Sequence, residues 1–369
     1  MSFIEQNTAY ETWMRTACAV VEDDLERKHD RMSKNSFKFL RATFFRWAHT
    51  VRATAPEIMT LPAPLAVGDA HVENFGTWRD AEARLVWGIK DHDDAAEIPY
   101  ASDILRLAVS TRLAGFSIGN SDAAQAIFQG YGEGLNDPGP TLLDQEEMWM
   151  RDYVAVTDEQ RKSFWDEIDG YPAAHPSEDA KSALLASLPE GAALERFAGA
   201  SKGGGSLGRP RYVATALWRG GRIAREAKAL LSSGWDWAAG SPDRPSRFDD
   251  AVNLATAAPD PFLRTDRGFI VRRIAADTRK VERDTNFDRK LDAKLLRAMG
   301  SEIGSLHAST SHLKHTILND LKGKDATWLQ ATAKAAAASV EADFAEWKAL
   351  QRLKPDRPND GIEFPALRA

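Results

Sequence analysis

Between Val67 and Ala95 the chain reads VGDAHVENFGTWRDAEARLVWGIKDHDDA, which places two groups of acidic and amide side chains on either side of a short apolar run. Magnesium takes hard oxygen ligands, usually one or two carboxylates with phosphate oxygens and water. Phosphoryl transfer adds a carboxylate that orients the attacking hydroxyl. This stretch can supply each part. Asp69 and Asn74 lie close enough in sequence to project from one loop. From Phe75 the chain runs through polar Trp78 to Glu82 into strand-like Leu85 to Ile89 and then meets Asp91. A hairpin of this length returns Asp91 to face Asn74. The segment reads as a magnesium-nucleotide site.

A second informative stretch is Ser201-Lys202-Gly203-Gly204-Gly205-Ser206-Leu207-Gly208. Strand-like Arg211 to Trp218, a Gly220-Gly221 turn and a second strand from Gly221 to Ala227 follow it. Glycines allow close backbone approach and positive φ, so successive amides can point at phosphate oxygens, and Lys202 adds charge. A flexible linker has the same composition. Gly268 to Ile274 reads as another strand and Leu291 to Ser309 as a helix.

The elements that must position these residues are mostly helical before residue 200. Thr8 to Lys28 and Ser36 to Arg52 carry apolar residues at helical spacing, and Phe37, Leu40, Phe44, Phe45 and Trp47 form a packing face. Ser102-Asp103 starts the apolar helix Ile104 to Leu113, with Asp103 placed as an N-cap. Ala326 to Leu353 is an Ala-rich amphipathic helix that clamps the helical part, and Pro355 to Ala369 is a Pro-rich tail read as an extended strap or a mobile end.

GDAHVENFG with KDHDDA after a short hairpin resembles the motifs of the aminoglycoside-phosphotransferase branch of the protein-kinase-like superfamily. It resembles more closely the uncharacterised bacterial domain of unknown function family 2252. The resemblance implies that Asp69 is the catalytic base, that Asn74 and Asp91 are magnesium ligands, and that His71 supports the loop. Asp93 would bind metal or hydrogen-bond the turn. Asp103 would brace the catalytic loop as well as cap its helix. GSEIGSLHA, from Gly300, is similar to the helix that precedes the catalytic loop in aminoglycoside phosphotransferases, so Leu306-His307 should pack behind that loop. In kinases the glycine loop, the small sheet and this helix come first; here they come last.

The expected fold is therefore α+β: a kinase-like two-lobe arrangement with circularly permuted order, a mainly helical large lobe and a small antiparallel sheet. Permutation is cheap where the joined ends lie close together on the surface. Residues 1–190 form the helical lobe with the catalytic loop and hairpin, 191–280 the nucleotide-covering β lobe, and 281–369 the helices returning to the large lobe. The cofactors implied are ATP and Mg2+, and the partner is an unidentified hydroxyl-bearing substrate. Gly203 to Gly208 would hold the nucleotide. The phosphate-contacting lysine of such folds has no counterpart at its expected place on the second strand, where Arg225 stands instead. Arginine keeps the charge but differs in reach and geometry. Lys202, Lys228 and Lys280 are the available substitutes. Glu226 adjoins Arg225 and should face the other side of the strand.

Other readings remain open on the same residues. A nucleotide-binding pseudokinase scaffold would explain Arg225, and an AMP transferase would use the same fold. His71, Glu73 and the His92-Asp93 pair also suit a metal-dependent phosphohydrolase. Composition narrows the class. The chain of 369 residues is 43% hydrophobic with a net charge of -6, which suits a large core and gives no global attraction for nucleic acid or anionic membrane. Arg272-Arg273 and Arg279-Lys280 are local phosphate contacts or solvated strand ends. No membrane span or secretory leader is read from the sequence, and the single Cys18 forms no internal disulfide, so the cytoplasm is the expected compartment. Oligomeric state is not encoded in any readable pattern.

Overall fold

The structure is a computed structural model that describes residues 1–254, 257–281 and 288–353; the Pro355 to Ala369 tail lies outside the described residues. Helices α1 (Phe3–Ala17), α2 (Glu22–Met32), α3 (Ser36–Ala42) and α4 (Phe44–Thr54) open the chain. Strand β1 (Leu65–Ala66), the hairpin β2 (Phe75–Arg79) and β3 (Leu85–Ile89), and β4 (Ala96–Glu97) follow. Then come α5 (Ala101–Leu113), α6 (Asn120–Asn136), β5 (Thr141–Leu142), α7 (Arg151–Val154), α8 (Asp158–Asp169) and α9 (Glu178–Ser187). A run of β6 (Ala193–Gly199), β7 (Arg211–Trp218), β8 (Gly221–Ala229), α10 (Gly234–Ala238), α11 (Phe248–Val252), β9 (Arg264–Asp266) and β10 (Phe269–Ile274) leads to α12 (Arg289–Ala308), α13 (Ser311–Leu321) and α14 (Ala326–Leu353). The architecture is α+β, with small antiparallel sheets set against helices.

Two helices expected from periodicity are each broken. Thr8 to Lys28 splits at Cys18 to Val21, where Glu22, Asp23 and Asp24 begin α2 with the acidic first turn that a helix dipole favours. Val21 N–H donates to Gly208 O at 2.9 Å, so the break receives the glycine-rich segment. Ser36 to Arg52 splits at Thr43, whose hydroxyl donates back to Phe39 O at 2.8 Å. Breaking there turns aromatic residues of both halves into one core, in which Phe39, Phe45 and Trp47 are buried. Each such side chain removed from water contributes about 1.5–3 kcal/mol.

The main core joins α1, α3, α4, α5, α6, α12 and α14, and α5 is its axis, buried at every position from Ala101 to Thr111. Helices α6 and α12 meet backbone to backbone. A Cβ at Gly134 would lie 1.9 Å from Ser301 O, and one at Gly300 would lie 2.3 Å from Ile127 O. Gly130 and Gly134 on α6 thus face Gly300 and Gly304 on α12, and the close approach fixes the axial position of His307.

Strands β6 to β10 form a five-stranded antiparallel sheet in the order β6-β7-β8-β10-β9. β6 was not expected from the sequence, and it makes the glycine-rich segment the connection of a β6-β7 hairpin. One face of this sheet, with Ala214, Ala227 and Val271, packs under α9. The other carries Glu226 and Lys228 on β8 and Arg272 on β10, with Arg272 directly opposite Glu226. Among the described residues no helix is long and apolar enough to cross a membrane.

Candidate functional site

A polar stripe on α5 builds the loop that carries Asp69. Asp103, Arg106 and Ser110 are three, then four, residues apart and therefore share one helical face. Asp103 Oδ2 accepts from Val67 N–H at 2.7 Å and Oδ1 from Gly68 N–H at 3.1 Å. Arg106 Nε donates to Asp69 Oδ1 at 2.8 Å, and its second nitrogen reaches the same oxygen. Ser110 Oγ accepts from Val72 N–H at 3.1 Å. Asp103 is not the N-cap expected from the sequence: Tyr100 is the cap, and Asp103 stands one turn inside with its carboxylate committed to the loop. His307 Nε2 lies 3.3 Å from Asp103 Oδ2 and His307 Nδ1 lies 3.0 Å from Tyr131 Oη, so His307 packs behind the loop. Gly68 takes φ +80° with Asp94 O 2.4 Å from where a Cβ would stand, a conformation and a space that only glycine fits.

With Oδ1 committed to Arg106, Asp69 keeps Oδ2 for other work. His71 Nδ1 accepts from Glu73 N–H at 3.1 Å, so the neutral ring carries its proton on Nε2, 3.6 Å from Asp69 Oδ2. Burial, followed by Arg41 and Arg106, holds the His71 imidazole well below its usual range, so it is neutral. Burial pushes the Asp69 carboxyl up to about 6 against the pull of Arg106, and its side chain is 20% exposed.

The hairpin does return Asp91 to Asn74. Asn74 Oδ1 accepts from Asp91 N–H at 3.0 Å, and Asn74 Nδ2 donates to Asp91 O at 2.9 Å and Asp69 O at 3.2 Å. In this arrangement Asn74 acts as a clamp between the two acidic segments. The Asp91 carboxylate meets Lys228 Nζ at 3.1 and 3.2 Å, and Asp93 Oδ2 meets the same ammonium at 2.5 Å with Arg209 at 3.3 Å. Burial pushes Asp91 up, but Lys228, a hydrogen bond with Asp93 and the Arg272 charge together outweigh it and hold that carboxylate well below its usual range. Burial, with the neighbouring Asp91 charge, pushes Asp93 up to about 7. Asp94 instead ties the loop to α10, accepting from Gly234 N–H at 2.7 Å.

Of the cations on β8, Lys228 and not Arg225 reaches the acidic loop. Strand β8 runs two residues beyond the expected Ala227, and alternation puts Glu226 and Lys228 on one face and Arg225 on the other. Arg225 donates to Ser187 O at 3.0 Å and lies over the Phe262 ring, under α9 and away from Asp91. Glu226 is the acidic residue of the site face: Arg211 meets it at 2.9 Å and Arg272 at 2.7 Å. Burial opposes ionisation there, but the two arginines hold it down to about 2.

The glycine-rich segment reaches Asp69 more closely than Asp91. A Cβ on Gly205 would stand 2.8 Å from Arg41 O and 3.9 Å from Asp69 Oδ2, and Gly204 lies against the Arg41 guanidinium. Arg31 donates to Gly203 O, Ser206 Oγ accepts from Arg211 at 2.8 Å, and Gly208, at φ +95°, packs on Met14 and Leu25. Lys202 pairs with Glu167 at 2.8 Å, and both line the cavity that Lys90 and Lys280 also line. Lys280 pairs with Glu73 at 3.4 Å.

Beside this assembly lies a cavity of about 380 Å³, between the hairpin floor, the inner face of the sheet and the crossing segment Ala275 to Lys280. That volume is in the range of small-molecule sites. Its wall mixes apolar Ile89, Val252 and Leu306 with Lys90, Arg272 and Lys280. Burial, followed by the charges of Arg272 and Lys280, pushes the Lys90 amine down to about 7. Glu302, from α12, also lines the cavity, and burial pushes its carboxyl up to about 7.

Asp93 Oδ1 is buried and receives no hydrogen bond, and the Asp91 side chain is 44% exposed. Two adjacent carboxylates, one with an unsatisfied oxygen, fit the hard donor set of magnesium. Among the described residues no three His, Cys, Asp or Glu side chains converge on one point, so phosphate oxygens and water would complete such a shell. His92 packs on Phe248 while His71 serves Asp69, and the two do not share one pocket.

Arg106, Ser110 and Lys228 are the contributors that sequence reasoning missed or did not choose. The signal for the first two was present: polar residues at helical spacing within an otherwise apolar helix. A family model described as an uncharacterized protein conserved in bacteria (DUF2252) matches residues 20–132, which include the whole Asp69 loop, the hairpin and α5 but stop before the sheet with Lys228. No curated protein and no solved structure matches the chain.

Proposed function

We propose that this protein is a phosphotransferase that uses ATP and magnesium to phosphorylate a hydroxyl of a substrate not yet identified, on a kinase-like fold in permuted sequence order. The observation that carries the reading is the convergence of three parts: Asp69 on a loop braced from α5, the Asp91 and Asp93 carboxylates at the hairpin's return, and Lys228 reaching them from the sheet beside a ligand-sized cavity. Each part has a defined task in phosphoryl transfer, where positioning and electrostatics do most of the catalysis.

Asp69 accepts the proton of the acceptor hydroxyl at Oδ2. Arg106 fixes the carboxylate orientation through Oδ1, and neutral His71 stands with Nε2 3.6 Å from the other oxygen. Asn74 holds the Asp69 and Asp91 backbones in register. Asp91 and Asp93 would hold magnesium, which when bound neutralises phosphate charge. Lys228, which stands on both carboxylates here, would be the cation available to phosphate oxygens beside that metal. Lys90, Arg272 and Lys280 line the cavity as further anion contacts.

The pseudokinase alternative rests on Arg225, and Lys228 beside Asp91 supports the catalytic reading over it. Transfer of AMP on the same fold remains a chemical variant, distinguished by pyrophosphate release. Thermal stability with and without ATP and magnesium, in wild type and Asp91→Asn, tests the reading, because a ligand at a hundred times its Kd stabilises the folded state by about 2.7 kcal/mol. A magnesium-dependent rise lost in the variant supports it. No rise at millimolar nucleotide sinks it.

A further inference from the structure

Alternation along the β2-β3 hairpin puts Gly76, Trp78, Val86, Gly88 and Lys90 on the face turned to the cavity, while Phe75 and Trp87 stack in the core behind it. Gly76 and Gly88 are direct cross-strand partners, so the centre of this face carries no side chains of its own. Other groups fill the space the two glycines leave. Over Gly76 come the Lys90 stem and Arg279 O, 2.4 and 2.6 Å from where a Cβ would be. Over Gly88 come Glu302 Oε2 and Trp78 Cη2, at 2.4 and 3.0 Å from the corresponding point.

The floor therefore carries an aromatic ring and a carboxyl group over Gly88 and a lysine stem over its cross-strand partner Gly76. Lys90 adjoins Asp91. The ring and the carboxyl group are each anchored. Trp78 donates its indole N–H to Ala258 O at 2.7 Å, and Thr141 Oγ donates to Glu302 Oε1 at 2.6 Å. With Oε1 occupied by that donor, Oε2 is the oxygen left for a ligand.

We infer that Glu302 is the specificity residue for the nucleotide's base, accepting through Oε2 a hydrogen bond from an exocyclic amine on a ring placed against Trp78. This assignment rests on the phosphotransferase reading and adds to it the class of base: one that bears an amino group, such as adenine or guanine, over hypoxanthine, which lacks it. Glutamine at 302 keeps the acceptor for Thr141 and puts an amide N–H2 where Oε2 was, so it should repel an amine and donate to a ring carbonyl. The variant also preserves size, which leaves the helix packing intact.

The test is the binding of ATP, GTP and ITP, each with magnesium, to wild type and Glu302→Gln by calorimetry. The expected result is that the better of ATP and GTP binds wild type at least about tenfold tighter than ITP, and that Glu302→Gln lowers this ratio by at least about tenfold, consistent with the loss of one hydrogen bond. A residue with a merely structural role would weaken all three nucleotides together. Equal wild-type affinities, or a ratio unchanged in the variant, overturn the assignment of Glu302 and leave the phosphotransferase reading standing. Binding of no nucleotide to wild type overturns both.

Discussion

Removing Lys228 tests whether the acidic loop depends on the sheet. The Nζ of Lys228 stands 3.1 Å from Asp91 and 2.5 Å from Asp93, on a side chain that is 3% exposed. At an effective dielectric of about 20, each contact has a gross attraction of about 5–7 kcal/mol, much of it offset by desolvation. Breaking a buried pair by deleting one partner typically costs about 3–5 kcal/mol, because the other charge stays behind. Lys228→Met keeps the stem and removes the ammonium, so Asp91 and Asp93 face each other with Arg209 and Arg272 as the nearby cations left. The cost should depend on pH. Asp93 already sits at about 7, above the ordinary carboxylate, and losing Lys228 raises it further. A raised carboxyl favours the protonated fold: its contribution to stability is fully present below the unfolded pKa and lost as pH climbs through the folded one. In wild type that loss ends near 7. In the variant it continues upward, so the gap between the two proteins widens by about 1.4 kcal/mol per pH unit above 7 until the new pKa is reached. Urea unfolding followed by tryptophan fluorescence at pH 6 and pH 8.5 measures it. Adding Asp93→Asn should recover most of the loss, which completes a double-mutant cycle. A Lys228→Met protein within 1 kcal/mol of wild type at pH 8.5 refutes the reasoning.

Four further outcomes follow from the same geometry. Turnover should rise with pH through about 6 as Asp69 ionises, because the base works in its charged form, and Asp69→Asn should abolish the rise together with the activity. Arg106→Lys, which cannot place two nitrogens on Asp69 Oδ1, should lower kcat by about tenfold or more while nucleotide affinity changes little; a KM effect alone would argue against the positioning role. Arg225→Lys should leave the magnesium-nucleotide thermal shift unchanged, since Arg225 contacts Ser187 O and Phe262 on the far face of the sheet. Gly134→Ala should destabilise by about 3 kcal/mol, because its methyl meets the Ser301 carbonyl and the helices must separate; an unfolding midpoint equal to wild type would contradict that packing.

Much of the site could be read from the sequence because it is local. The Asp69 loop, the hairpin and Asp91 lie within one short segment, and a two-stranded hairpin fixes its own register, so Asn74 and Asp91 meet without help from the rest of the chain. The α+β class followed from runs whose periodicity is strong, and β3, β10, α12 and α14 fall on the runs read as strand and helix. What the sequence did not convey depends on distant pieces meeting. Strand β6 shows little alternation of burial and exists because β7 offers it an edge. The breaks at Cys18–Val21 and Thr43 fall inside runs of continuous helical apolar spacing, and packing makes that choice favourable.

The choice between Arg225 and Lys228 shows the division most clearly. Both are cations on one strand, and position in sequence favoured the first. Which one faces Asp91 depends on strand parity and on which face of the sheet α9 covers, so only the assembled sheet decides. The same holds for Glu302, whose carboxyl reaches the hairpin floor because α12 lies against a pair of glycines far from it in sequence. The chain by itself determined which chemistry is present near Asp69, because those groups are held by bonds a few residues long. Tertiary structure determined which cations, which brace and which wall surround that chemistry, because charge and burial act through space and take no account of sequence distance.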